Sequence, residues 1–309
     1  MTNGKWYLLA AIAGLTAATL WLISLFPVYS YAGASETATH LNDHTQNVAF
    51  NSAFIAGSFL SAILALPRVT RKFGAAMLLS IAALSAAETF SDAANFLRSD
   101  IAGTSGYYTP GPGYWCSLTG TALHLIACGL SFTALKRDGA FKISLNQASA
   151  IWATLGVLAG GAWLLGEWIP WRRTTFTGTV EGKEITNTIT ECCNLSEMPG
   201  QYLTEALLSA AILAATALTA ATLRSAPAAS GLLLGASVSI VADIASALTI
   251  KAPSLADVAS AWSTTEEQLR QIQAFTETHH LNGFWIALAS AVTLILMATA
   301  RGFMGSRAT

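Results

Sequence analysis

Two acidic residues, Glu88 and Asp92, stand in a stretch that is otherwise almost entirely apolar or small, residues 74–97. Residues four positions apart lie on the same face of an α-helix. In hydrocarbon an ionised carboxylate is costly unless it meets a cation, a polar partner or water, so acids kept in such a segment favour a functional role. The chemistry open to them is the binding of a cation, a proton or a basic solute.

Two further residues could join these acids in one site. Arg98 comes six residues after Asp92, near the helix end, from where a snorkelling arginine could reach back towards the carboxylates. His124 is the only histidine in the fourth predicted span. It could transfer one proton, or ligate a haem whose second ligand came from a partner protein. The structural alternative is a packing histidine held by hydrogen bonds.

The elements that carry these residues are predicted membrane helices. Of the 309 residues, 53% are hydrophobic and 11% are charged, against roughly 25% charged in a soluble domain. The net charge of -1, without a basic stripe, argues against nucleic-acid binding. Windows of about 20 apolar residues predict eight spans, at residues 6–29, 48–66, 74–97, 120–135, 148–168, 202–223, 228–250 and 282–300.

Basic residues near the span ends predict the orientation. An even number of spans places both termini on one side, where most of the Lys and Arg residues also lie. We therefore expect cytoplasmic termini, long loops outside and a plasma-membrane location. The first span, followed by Ala-Gly-Ala at 32–34, also resembles a signal peptide. Its apolar run exceeds the roughly 7 to 15 residues of such a peptide, which favours a retained helix.

The two halves of the chain resemble each other weakly. A shift of 151 positions places Asp92 on Asp243. Other short matches pair residues 21–22 with 163–164 and residues 118–120 with 281–283. Halves with an even number of spans share one orientation, and sites in such proteins tend to lie at the repeat interface. Residues 1–142 and 143–309 are therefore predicted to be two parallel four-span units, the alternative being unrelated helices of similar composition.

The fold class that follows is an all-α membrane bundle of eight spans with small outer elements. Residues 174–190 alternate Thr with apolar residues around Glu181-Gly182-Lys183, which predicts a hairpin. Ser263 and Glu266 fit a capping box, and apolar residues at three-residue spacing follow, which predicts a short amphipathic helix. A four-span unit with an outer hairpin in its first loop resembles the layout of claudins, although that family's W-GLW-C-C pattern is missing.

Other candidate ligands lie in the predicted outer loops. His40 and His44, four residues apart, could bind one metal ion, although histidines in a polar loop are usually solvated. Cys116 could form a disulfide with Cys192 or Cys193 in an oxidising compartment.

Three functions fit these features. The first is a transport-type protein whose acids line a polar site, open to the outside, between two repeats. The second is a non-catalytic accessory, assembly or partner-binding subunit that contacts another membrane protein through small-residue helix faces or outer loops. The third is an intramembrane enzyme, which the absence of a metal-ligand motif, nucleophile elbow or phosphate loop disfavours. No cofactor is indicated, and the expected partner common to all three is the lipid bilayer.

Overall fold

A computed structural model describes residues 4–27, 30–32, 36–38, 45–101, 109–143, 147–191, 199–249 and 252–306. It places the backbone alone for residues 30–32, 36–38, 45–50, 88, 90–101, 109, 147, 189–191, 199–206, 261 and 304–306. The predicted ligands His40, His44, Cys192 and Cys193 therefore lie outside the described residues.

The described chain is mostly helical, and eight of its helices have 20 or more residues. They are α1 (Gly4–Ser24), α2 (Thr45–Leu64), α3 (Arg71–Ile101), α4 (Pro112–Arg137), α5 (Gln147–Trp168), α6 (Pro199–Thr222), α7 (Ala226–Thr249) and α10 (Asn282–Ser306). Each one overlaps a segment predicted as a span. Two short helices, α8 (Leu255–Ala261) and α9 (Glu266–Gln271), lie between α7 and α10.

Five helical segments in the described part of the chain are long and apolar enough to cross a membrane. They are Gly4–Ser24, Pro112–Arg137, Ala148–Trp168, Ala226–Thr249 and Asn282–Phe303. Large apolar side chains on these helices stay exposed in the folded chain, among them Ile12, Leu125 and Leu296. Bilayer contact covers such side chains. The chain is therefore an integral membrane protein.

The long helices pack side by side in the order α2, α1, α4, α3, α7, α10, α5, α6. In addition, α2 packs on α7, and α6 packs on α3. Alanine, glycine and serine dominate the buried positions. Small residues let helix backbones approach closely, which matters in lipid because helices there associate through packing rather than through the hydrophobic effect.

Glycines bring α3 and α7 into close contact. A Cβ added to Gly235 would lie 2.5 Å from the carbonyl oxygen of Met77, and one added to Gly231 would collide with the carbonyl oxygen of Phe73. The Ser80 hydroxyl donates a hydrogen bond to the carbonyl oxygen of Leu232 at 3.0 Å. Backbone thus lies directly against backbone at this crossing.

Two small antiparallel sheets accompany the bundle, so the fold is not purely α-helical. The first contains β1 (Ser30–Ala32), β2 (Glu36–Ala38) and β3 (Thr109–Pro110) in the order β2-β1-β3. The second contains β4 (Arg172–Val180), β5 (Lys183–Glu191) and β6 (Phe275–His280) in the order β5-β4-β6.

The predicted hairpin is confirmed as β4 and β5, which pair from Arg172↔Glu191 to Val180↔Lys183. Its two-residue turn has positive φ at Glu181 and Gly182, 51° and 76°. Such dihedrals belong to the tight turns that match the twist of a hairpin. Alternation of residue type and turn chemistry therefore predicted the same element.

The second sheet has its own small apolar core. Phe176 of β4 packs with Val258, Ala259, Leu269 and Ala274. The short helix predicted near residue 263 is α9, but its N-cap is Thr265 in a capping box with Gln268. Ser263 instead has a positive φ of 51°, because it lies in the turn between α8 and α9.

The glycine contact between α3 and α7 can be tested by substitution. In Gly235→Val the new side chain has no room beside the Met77 carbonyl, and overpacking of this kind costs about 1–3 kcal/mol. We expect a corresponding loss in the free energy of unfolding, measured by thermal melting in detergent. Gly129→Val is the matched control, since a Cβ there meets nothing within 4 Å. Equal melting temperatures for the two variants would contradict the close approach.

Candidate functional site

A cluster of four buried polar side chains lies between α3 and α4. Ser85 and Thr89 occupy one face of α3, since they are four residues apart, and Thr121 and His124 lie on the facing side of α4. Exposure is 0% for Ser85 and His124, 4% for Thr121 and 5% for Thr89. His124 is in the middle of Pro112–Arg137, so the cluster lies deep in a membrane-spanning helix.

Hydrogen bonds connect all four side chains. His124 Nδ1 lies 3.1 Å from Ser85 Oγ, and Ser85 Oγ lies 3.3 Å from Thr121 Oγ1. Thr121 Oγ1 lies 2.7 Å from Thr89 Oγ1, which also donates to the Ser85 carbonyl oxygen at 3.0 Å. Hydroxyl and imidazole groups in such a row can each give and accept a proton.

The second nitrogen of the imidazole is left without a partner. Nε2 of His124 is buried and has no hydrogen-bond partner among the described residues. The ring packs edge-on against Phe54, with centroids 6.3 Å apart and planes at 81°. Leaving a buried polar atom unsatisfied costs free energy, so this nitrogen is the atom of the cluster most available to a ligand.

Two of the predicted acids lie on α3, as Ser85 and Thr89 do, and the third lies on α7. Glu88, Asp92 and Arg98 fall within α3, where their backbone alone is placed. Asp92 is seven residues after Ser85 and three after Thr89, so its position continues the stripe that faces α4. Asp243 lies in the last third of α7 and is partly buried.

The described residues contain neither the predicted metal site nor a disulfide partner for Cys116. No group of three His, Cys, Asp or Glu residues that could hold a metal ion occurs there. Cys116, in α4, is a free thiol in this part of the chain. The second cysteine in that helix, Cys128, is also free.

A second polar cluster, which the sequence analysis missed, ties three elements together at the basic end of the bundle. Arg71 Nη2 and the Tyr7 hydroxyl both donate to Asp138 Oδ2, each at 3.0 Å. The Arg71 guanidinium also lies 4.9 Å from the centre of the Tyr7 ring. One signal was present in the sequence: Asp138 is the only acid in the three short connections on the basic side.

A small pocket occurs between the second sheet and α8. It measures about 250 Å³ and is lined by Phe176, Asn187, Asp257 and Trp262 among others. Hydrogen bonds from Ser254 lower the pKa of the Asp257 carboxyl below its ordinary value. That carboxylate therefore serves first as part of the α8 capping box.

No protein family model, curated protein or solved structure matches this chain. The function therefore has to be argued from its own residues.

The Asp138 cluster gives a prediction about stability. Asp138→Asn leaves Arg71 facing a neutral amide. Because the Arg71 side chain is 26% exposed and that of Asp138 only 7%, we expect an intermediate loss of about 1–3 kcal/mol, measured by thermal melting in detergent. Arg68→Gln is the control, because Arg68 is exposed on the same side and its loss should stay within about 0.5 kcal/mol. An Asp138→Asn protein that melts like the control would show that the cluster contributes nothing.

Proposed function

We propose that this is an integral membrane protein of transport type, built from two related four-helix halves, whose outward-facing polar site lies inside the first half, between α3 and α4. The ligand would be a cation, a proton or a basic small solute. The observation that carries the proposal is the buried row of Ser85, Thr89, Thr121 and His124 inside the bundle. An ionisable side chain within a membrane helix, here His124, is costly and usually functional.

Strand pairing supports the two related halves, residues 1–142 and 143–309. Both sheets have a hairpin after the first helix of a half and a third strand before its fourth helix. Shifting β1 by 142 positions and β3 by 170 carries Ser30↔Pro110 onto Arg172↔His280 and Tyr31↔Thr109 onto Arg173↔His279. The shift of 142 is the one that also pairs residues 21–22 with 163–164, and in both sheets the first strand lies between its hairpin partner and the third strand.

Helix packing supports the same shifts. A Cβ on Gly120 of α4 would lie 3.1 Å from the Ala17 carbonyl oxygen in α1. Gly120 shifted by 170 positions is Ser290 of α10, and Ala17 shifted by 142 positions is Ala159 of α5. The Ser290 hydroxyl donates a hydrogen bond to the Ala159 carbonyl oxygen. The order of the helices is also symmetric. From the two ends inwards, α2 corresponds to α6, α1 to α5 and α4 to α10, and α3 contacts α7 at the centre.

The relation between α3 and α7 revises which acids correspond. These helices begin at residues 71 and 226, a shift of 155 positions. The same shift relates the pairs that meet at the crossing, since added Cβ atoms on Gly231 and Gly235 would contact Ala76 and Ser80. Where a two-fold axis relates the two halves, residues next to the axis contact the equivalent residues of the other half. On this shift Glu88 corresponds to Asp243, and Asp92 is specific to the first half.

The second half then supplies an internal comparison for the polar cluster. Its equivalent positions, by shifts of 155 and 170, are apolar: Ile240 for Ser85, Ile244 for Thr89, Ala291 for Thr121 and Leu294 for His124. All four are buried, at 0%, 7%, 2% and 1% exposure. The architecture is thus compatible with an apolar filling at this place, which favours a functional reason for the polar one.

The orientation follows from the charges. The basic helix ends favour a cytoplasmic position for both termini and for the connections at residues 67–70, 138–146 and 223–225, and we propose a plasma-membrane location. The sheets and the acidic ends of α3 and α7 then face outwards. The glycines of α7 pack its first half tightly against the first half of α3 on the cytoplasmic side. The site would therefore be closed to the cytoplasm and open to the outside.

The test replaces the cluster with the apolar set of the second half. We expect the variant Ser85→Ile, Thr89→Ile, Thr121→Ala and His124→Leu to fold with unchanged or higher stability, since replacing buried polar partners together is often neutral. It should lose proton or cation flux in proteoliposomes, measured with a pH-sensitive dye and ion-selective electrodes. His124→Leu alone should lower the flux as well. The control removes charge outside the bundle through Glu181→Gln, Glu184→Gln and Glu267→Gln.

Two outcomes would overturn the transport proposal. One is unchanged flux in the folded cluster variant. The other is unchanged flux when Glu88, Asp92 and Asp243 are neutralised together in a protein that stays folded.

A partner-binding accessory subunit is the second candidate, favoured by the outer layer. The second sheet builds a separate core and leaves Trp262 45% and Ile185 52% exposed. Exposed apolar side chains on a rigid support suit a protein interface. We expect a stoichiometric partner to copurify in mild detergent and to be lost in Trp262→Ser with Ile185→Ser, whereas Glu184→Gln retains it. A protein that purifies alone would contradict this candidate.

A further inference from the structure

A cleft opens at the basic end of the bundle, between α4 and α6. It measures about 470 Å³ and is lined by Phe132, Lys136, Phe141, Lys142, Thr219 and Thr222, among others. Residues of both halves therefore form it. Its floor is fixed by backbone contacts, since Arg224 N donates to the Lys142 carbonyl oxygen at 2.9 Å and Ile143 bridges to Leu223.

The charged residues that line the cleft are all basic. Lys136 and Lys142 are both exposed, and none of the described lining residues is acidic. The nearby Asp138 carboxylate is already bound by Arg71 and Tyr7. The hydroxyl hydrogens of Thr219 and Thr222 go to helix carbonyl oxygens. The two ammonium groups are thus the charged donors available to a ligand, and they favour an anion.

The remaining surface of the cleft is mostly apolar. Phe132 is one helical turn before Lys136 and is 47% exposed, and its ring lies 5.0 Å from that of Phe141. Ile143, also in the lining, is 63% exposed. An anion bound here would therefore carry an apolar tail that continues along the helices.

We propose that this cleft binds an anionic phospholipid. Its phosphate lies between Lys136 and Lys142, and an acyl chain runs over Phe132 and Ile143. Basic pockets between membrane helices at the headgroup level bind acidic lipids by this combination of charge and apolar contact. A free phosphate would use the charges alone and leave the apolar wall uncovered.

Native mass spectrometry of the purified full chain tests the proposal, with phosphatidylglycerol and phosphatidylcholine added in equal amounts. We expect preferential retention of phosphatidylglycerol. At about 1 kcal/mol for each lysine near an acidic headgroup, Lys136→Gln with Lys142→Gln should weaken that retention roughly thirtyfold. The double variant Arg68→Gln with Lys72→Gln is the matched control, because it removes the same charge from the same end but outside the cleft.

Two further measurements distinguish a bound phospholipid from free phosphate. Phe132→Ser should reduce lipid retention while both lysines remain, and inorganic phosphate at millimolar concentration should not displace the lipid. Melting temperatures confirm that each variant is folded. Equal retention of the two lipids, equal loss in both double variants, or displacement by inorganic phosphate would each overturn the proposal.

Discussion

The backbone contact between α3 and α7 is the constraint on which the rest of the bundle depends. In lipid, helices gain little from the hydrophobic effect and associate where small residues allow close packing. Gly231 and Gly235 provide that approach, and the hydrogen bond from Ser80 fixes its register. Each helix also packs on the fourth helix of its own half, α4 or α10. This crossing, flanked by the contacts of α2 with α7 and of α6 with α3, joins the two groups of helices.

Polar contacts divide α3 into three zones along its length. At its start, Arg71 binds Asp138 and fixes the basic end. In the next turns, the Ser80 hydroxyl binds α7. Five residues after Ser80, Ser85 faces α4 and contacts His124. The first two zones are held by packing and paired polar groups, whereas in the third zone His124 Nε2 is a buried polar atom without a partner in the described chain.

The sequence predicted the parts of this fold that depend on local pattern. Apolar windows located the long helices, and alternation with a Glu181-Gly182 turn located the hairpin. The strands of the first sheet, at two and three residues, are too short for any alternation to register. The partners of His124 were also out of reach, because serine and threonine are common in membrane helices and Ser85 lies 39 residues away. The same holds for Arg71 and Asp138, 67 residues apart, since tertiary packing alone brings them together.

The proposed shift of 155 positions, in place of 151, changes the reasoning about the site. The match of Asp92 with Asp243 suggested one acid shared by both halves, and hence a symmetric site. With Glu88 as the counterpart of Asp243, and with Ile240, Ile244, Ala291 and Leu294 opposite the polar cluster, the first half differs from the second where its polar groups concentrate. Two halves of one scaffold, with hydroxyl and imidazole groups in the first opposite apolar residues in the second, would point to a site specialised within the first half. The first half is therefore where a ligand should be sought, and the second half provides the apolar template for removing it.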